Sequence, residues 1–157
     1  MLRWEEFKTV QPELAEAGRS LLYQFGVGLA FLATVRRDGG PRVHPVSPLI
    51  SEDRLCVFVG KDSRKLSDLR RDPRFALHSF PTPSNDDEFY ITGAANEITT
   101  AELCKKVYTT FVEERATTSF PSQPQDPLFE LLVDKMLHTK TREHGDWEPV
   151  RTVWRAT

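Results

Sequence analysis

Cysteine is scarce in this sequence, neither charge is in marked excess, and long apolar runs and glycine-rich phosphate loops are missing altogether. Each shortage removes a class of protein. Cys56 and Cys104 stand far apart with no metal-type spacing, so neither a disulfide framework nor a thiolate metal centre is encoded. No apolar run approaches the roughly 18 residues that span a bilayer, and no secretory leader is recognisable. A cytoplasmic chain with free thiols is the expectation. Lysine and arginine total 21 against 23 acidic residues, a net charge of -2. Such a balance creates no general field for nucleic acid or an anionic membrane, so any anion site must be local. Neither G-x-G-x-x-G nor a P-loop occurs, which argues against a Rossmann or P-loop nucleotide fold. No Ser/His/Asp arrangement or paired-carboxylate site emerges from spacing, and His138, His144 and Asp146 show no metal-ligand pattern.

What is present points to one domain over residues 1–157. The hydrophobic fraction of 39% is slightly low, although ten Phe, three Trp and three Tyr supply bulky apolar area. Part of the core is therefore expected at a subunit interface.

Leu14, Ala17, Leu21, Leu22 and Phe25 recur at helical spacing after Pro12, which predicts a helix over 12–25. Strand-like composition over 29–35, the turn Asp38-Gly39-Gly40 and a return over 42–50 predict a hairpin. Ser51-Glu52-Asp53 turns into RLCVFV, whose apolar run suggests a strand buried on both faces. Asp62 or Ser63 can cap a short basic helix carrying Leu66 and Leu69 inward, ended by Asp72-Pro73. Residues 75–80 and 88–98 read as strands, the second bent at Gly93. A helix follows from Thr99 or Thr100 to about Glu114, with Tyr108 and Phe111 as core packing. After a polar loop over 116–127, strands are expected at 128–133, 136–141 and 150–155. Six to seven strands and three helices without βα alternation predict a mainly β (α+β) fold, an antiparallel barrel with peripheral helices.

One segment of the hairpin is odd. The return strand carries His44, Pro45 and Pro48, and a proline cannot donate a ladder hydrogen bond, so this strand is an edge strand, a bulged strand, or one whose backbone serves something else, such as a ligand. The most specific chemistry lies just beyond, in Lys61-Asp62-Ser63-Arg64-Lys65, between a buried strand and a helix start. Orphan N–H groups and the positive end of the macrodipole favour an anion there. Ser63, Arg64 and Lys65 complete a phosphate cradle, with Lys61 adding positive potential.

The order ATVRRDGGPRVHPVSPLI, RLCVFVGKDSRKLSDLRRDPRFAL and EFYITGAANEI resembles the pyridoxamine 5'-phosphate oxidase-related, FMN-binding split-barrel superfamily. The S-R-K-x-x-x-L-x-x-x-P-R segment is the most diagnostic piece. The resemblance runs from about Leu29 to Phe111 and implies that the barrel is a split antiparallel β-barrel, forming a homodimer with FMN sites at the interface. It implies phosphate contacts from Arg64 and Lys65, and lining of the cofactor by His44, Val46, Ser47, Phe58 and Val59. Glu88 aligns with a glutamine that reaches the partner's flavin. His44 stands where the oxidases have an arginine, and Leu49 where they have a lysine, so oxidation of pyridoxamine 5'-phosphate itself is not implied. The expected function is hydride transfer between FMN and a small organic substrate. The alternatives are a deazaflavin-coenzyme reductase using Arg36, Arg37 and Arg42 at the mouth, or a non-catalytic flavin- or haem-binding protein.

Overall fold

The computed structural model describes residues 1–115 and 126–157. Along the chain run α1 (Trp4–Val10), α2 (Pro12–Leu22), β1 (Ala30–Val35), β2 (Pro41–Val46), β3 (Leu49–Ser51), β4 (Arg54–Phe58), α3 (Arg64–Arg71), β5 (Arg74–Ser79), β6 (Glu88–Ile98), α4 (Ala101–Arg115), β7 (Leu128–Lys140) and β8 (Val150–Arg155). The loop expected over 116–127 lies, up to residue 125, outside the described residues.

The eight strands form one sheet, ordered β2-β1-β5-β6-β7-β4-β3, with β8 also paired to β7. Every ladder is antiparallel. β2 and β3 occupy opposite ends of that order, yet only Ser47 and Pro48 separate them in sequence. Two intervening residues reach about 11 Å at most, so the sheet must curl until its ends meet. The result is the half-barrel of a split-barrel fold.

This arrangement also explains the prolines. The strand expected over 42–50 is not continuous: it breaks at Ser47-Pro48, and its two halves pair with different neighbours, β1 and β4. Pro41 and Pro45 lie on β2, which has a partner on one side only, so their missing donors cost the sheet little. At the crossing, a Cβ on Gly28 would lie 1.9 Å from the Pro48 carbonyl oxygen, so only glycine fits there.

The strands expected at 128–133 and 136–141 are one strand, β7. The register slips between Thr92 and Gly93, where Thr92 faces Lys135 and Gly93 faces Val133, leaving Asp134 as the extra residue of a bulge. The predicted bend at Gly93 is therefore a bulge, and a Cβ there would sit 1.8 Å from the Leu132 carbonyl oxygen. α1, absent from the predicted set of three helices, is held by aromatic packing. Phe7 lies 5.0 Å from Trp154, and Trp4 lies 6.3 Å from Phe89, centroid to centroid.

The main core, including Leu32, Leu55, Val57, Leu77, Phe89, Ile91, Phe129 and Met136, is closed over by α1 and α2. A second cluster of Leu49, Cys56, Phe58, Val107, Phe111 and Leu128 lies under α4. β4 separates the two, which is why it is buried on both faces as its apolar run predicts. Burial pushes the Cys56 thiol up to about 12, the inert cysteine expected of such a strand. No helix among the described residues is long and apolar enough to cross a membrane.

Candidate functional site

Beyond β4 the chain leaves the core through Val59 and Gly60. The Val59 N–H donates to Pro127 O at 2.9 Å and the Lys61 N–H to Asp126 Oδ1 at 3.2 Å, which fixes the strand end. A turn closes with Ser63 N–H to Gly60 O at 2.8 Å, and α3 begins. Ser63 is extended and caps the helix, its Oγ accepting from the Lys65 N–H at 3.3 Å. Leu66 and Leu69 bury the inner face, as their spacing predicts.

The first turn of α3 contains no acidic residue and opens with Arg64 and Lys65. This is the wrong sign for the positive end of a helix dipole, where each cation costs about 0.3–1 kcal/mol. Among the described residues, none of the side chains of Lys61, Arg64 and Lys65 joins an ion pair. Three cations, the backbone N–H groups of the helix start and a serine hydroxyl thus lie within five residues of chain, with Asp62 among them and the Asp126 carboxylate on the Lys61 N–H.

Asp68 fastens this helix to the sheet. It is 3% exposed, and its Oδ2 accepts from Arg42 Nε at 2.6 Å and Thr34 Oγ1 at 3.0 Å. Arg71 approaches Oδ1 at 3.4 Å and also donates to the Val35 carbonyl. Burial alone would raise the Asp68 pKa. The hydrogen bonds from Arg42 and Thr34 and the charge of Arg42 outweigh it and hold the carboxyl below its usual range. The same contacts bring β2 against the helix start, so His44 comes within the field of Lys65.

The other candidates divide. Val46 is half-buried against the main core, while Phe58 and Val59 are 8% and 1% exposed within the two clusters. Ser47 is occupied internally: its Oγ donates to Gly28 O at 2.9 Å and accepts from Arg115 Nη2 at 3.1 Å. Glu88 lies at the start of β6, its carboxylate engaged by His78 Nε2 at 3.0 Å and Thr139 Oγ1 at 2.6 Å. His78 has structural partners on both ring nitrogens, since Nδ1 also meets Ser79 O.

Sequence reasoning missed Asp68 and Arg115. The Arg115 guanidinium lies over the Phe111 ring at 3.8 Å and meets Ser47, Pro48 and Glu114, tying α4 to the β2–β3 crossing. Tyr23 joins the same cluster through Ile50 N–H and Glu114, and burial pushes its phenol up to about 12.

A curled antiparallel half-barrel with a cationic helix start beside its edge strand defines the split-barrel class that includes FMN-binding proteins. The family model for pyridoxamine 5'-phosphate oxidase matches residues 22–142, and the chain belongs to that family. A search of curated proteins gave no match. Among solved structures, a pyridoxamine 5'-phosphate oxidase-related, FMN-binding protein from Nostoc punctiforme is 15% identical, with a TM-score of 0.63, covering 96% of this chain and 91% of its own. General Stress Protein 26 from Bacillus anthracis is 17% identical at a TM-score of 0.61, with 90% and 97% covered. A heme binding protein from Mycobacterium smegmatis is 16% identical at 0.63, with 87% and 57% covered. At these identities the likeness is one of fold.

Proposed function

We propose that residues 1–157 form one FMN-binding domain, active as a cytoplasmic homodimer and transferring a hydride between the flavin and a small organic substrate. The observation that carries this reading is the pair of cations at the positive end of α3, without a carboxylate in the first turn. Arg64 offers a guanidinium fork to phosphate oxygens, Lys65 a point charge, and Ser63 a hydroxyl beside the N–H groups of the helix start, with Lys61 adding field. FMN supplies the hydride chemistry when bound. In this reading His44 and Val46 border the flavin along β2. Ser47, through its bonds to Gly28 and Arg115, holds the bend at which that strand leaves the site.

The homodimer is supported by the outer face of the sheet. Phe31, His78, Tyr90, Leu137 and Val153 lie side by side across five strands, and Val43 and Val153 are exposed. A second copy packed there would cover this row and bring Glu88 toward the opposite flavin.

The deazaflavin alternative has less support. Of the three arginines available for a longer acidic tail, Arg36 is paired with Asp38 at 2.5 Å and Arg42 with Asp68, leaving Arg37.

Titration with FMN, read by quenching of flavin fluorescence, tests the proposal. Wild-type protein is expected to bind, and Arg64→Ala with Lys65→Ala to lose at least about 100-fold in affinity, two charge-assisted contacts at roughly 1.5–3 kcal/mol each, while staying folded. Full affinity in the double variant would refute the anchor. Reduction of bound FMN by NADPH or NADH, followed by substrate-dependent reoxidation, separates catalysis from storage.

A further inference from the structure

Arg42 and His44 share one face of β2, because their register partners Thr34 and Leu32 both point into the core. On α3, Lys65 and Asp68 are three apart and share one face of the helix. The Arg42–Asp68 contact at 2.6 Å sets how these faces meet. One pleat onward from Arg42 lies His44 and about one turn back from Asp68 lies Lys65, and the charge of Lys65 acts on His44 across the gap between strand and helix.

His44 is exposed in that gap. The charges acting on it are Lys65 and Asp68 from the helix and Arg42 from its own strand. β1 offers only Leu32 opposite it. Asp68 is already shared among Arg42, Arg71 and Thr34. The local balance at the imidazole is therefore cationic.

We infer that His44 is the proton-linked member of the cradle, taking up a proton when a phosphate monoester dianion binds and releasing it when the ligand leaves. This deepens the FMN reading and rests on it. Without ligand, burial and then the charges of Lys65 and Arg42 hold the imidazole below its ordinary value, against the pull of Asp68. A doubly ionised phosphate reverses that balance, and the proton comes from solvent with no other bond changed. The neutral ring offers one N–H and the charged ring two, so His44 becomes a double donor when the dianion is in place. A flavin without a phosphate recruits no proton.

Calorimetric titration with FMN near pH 7, in two buffers of different ionisation enthalpy, counts the protons. Wild-type protein should take up on the order of half a proton more per FMN than His44→Gln. The phosphate's own titration cancels in that difference. Between pH 8 and 6.5 the wild-type affinity should tighten by about threefold more than that of the variant. Riboflavin, run in parallel, should give no His44-dependent uptake. Equal proton counts with FMN bound to both proteins would overturn this inference and leave the FMN reading standing. Failure of wild-type protein to bind FMN would overturn the FMN reading, and this inference with it.

Discussion

Replacing Asp68 with alanine separates the anchoring of α3 from the chemistry at its start. The carboxylate is the common acceptor of Arg42, Arg71 and Thr34, and it is nearly inaccessible. Removing one member of a fully buried ion pair costs about 3–5 kcal/mol. Here the side chains of Arg42 and Arg71 are 21% and 37% exposed and can turn toward water, so we reduce this to about 2 kcal/mol. The Thr34 hydroxyl, 2% exposed, loses its acceptor and adds about 1 kcal/mol. The sum of about 3 kcal/mol corresponds to a fall in Tm of roughly 6–12 °C for a chain of this size. Urea unfolding measures the loss, with the slope against urea unchanged if the variant remains two-state. Asp68→Asn keeps the volume and the hydrogen-bond acceptor, so its loss should be smaller. The carboxyl lies below its usual range in the folded protein, so its contribution is present above the ordinary carboxylate pKa and fades as pH falls through the lowered value. The gap between wild type and Asp68→Ala should therefore narrow in acid. A loss under about 0.5 kcal/mol for the alanine variant would show that the knot does not hold α3 in place.

Two more predictions concern the frame around the site. Gly93→Ala pushes a methyl against the Leu132 carbonyl oxygen at the β6–β7 bulge and should cost about 3 kcal/mol or more by urea unfolding; a change within about 0.5 kcal/mol would mean the bulge relaxes freely. Asp86 and His144 latch the β5–β6 and β7–β8 connections, with His144 Nδ1 at 2.7 Å from Asp86 Oδ1 and the Gly145 N–H donating to Oδ2 at 2.6 Å. The hydrogen bond to Asp86, then that to Pro83 O, raises the His144 pKa, and the same contact lowers that of Asp86. The histidine contribution is complete below the ordinary imidazole value of roughly 6.5 and is lost as pH rises through the raised one. That of Asp86 is complete above the ordinary carboxylate value of roughly 3.9 and is lost as pH falls through the lowered one. Exchange protection of the Gly145 amide, corrected for intrinsic rate, should therefore peak between these values in wild type and lose its alkaline limb in Asp86→Asn; a flat profile in wild type would contradict the latch.

Much of this arrangement was legible in the residues. The strand-like composition over 29–35 and 75–80, the inward Leu66 and Leu69, the Ser63 cap and the stop at Asp72-Pro73 are all local consequences of side-chain type. α1 leaves no helical period in the sequence because seven residues carry too few turns for one, and Trp4 and Phe7 find their partners Phe89 and Trp154 far along the chain. β7 reads as two strands in the sequence because Asp134 and Lys135 interrupt an apolar run, whereas a bulge lets the strand continue through them. Within the site, the cations at the α3 start could be read directly. The commitment of Ser47 to Arg115 and of Arg42 to Asp68 could not, since both depend on elements that meet only when the sheet curls.

A crystal structure grown with excess FMN would locate the phosphate directly. Its oxygens should lie within hydrogen-bonding distance of Ser63 Oγ, the Arg64 guanidinium and Lys65 Nζ, with the isoalloxazine ring running along β2. A cradle left empty at saturating FMN, or a flavin seated elsewhere on the barrel, would contradict the proposed site.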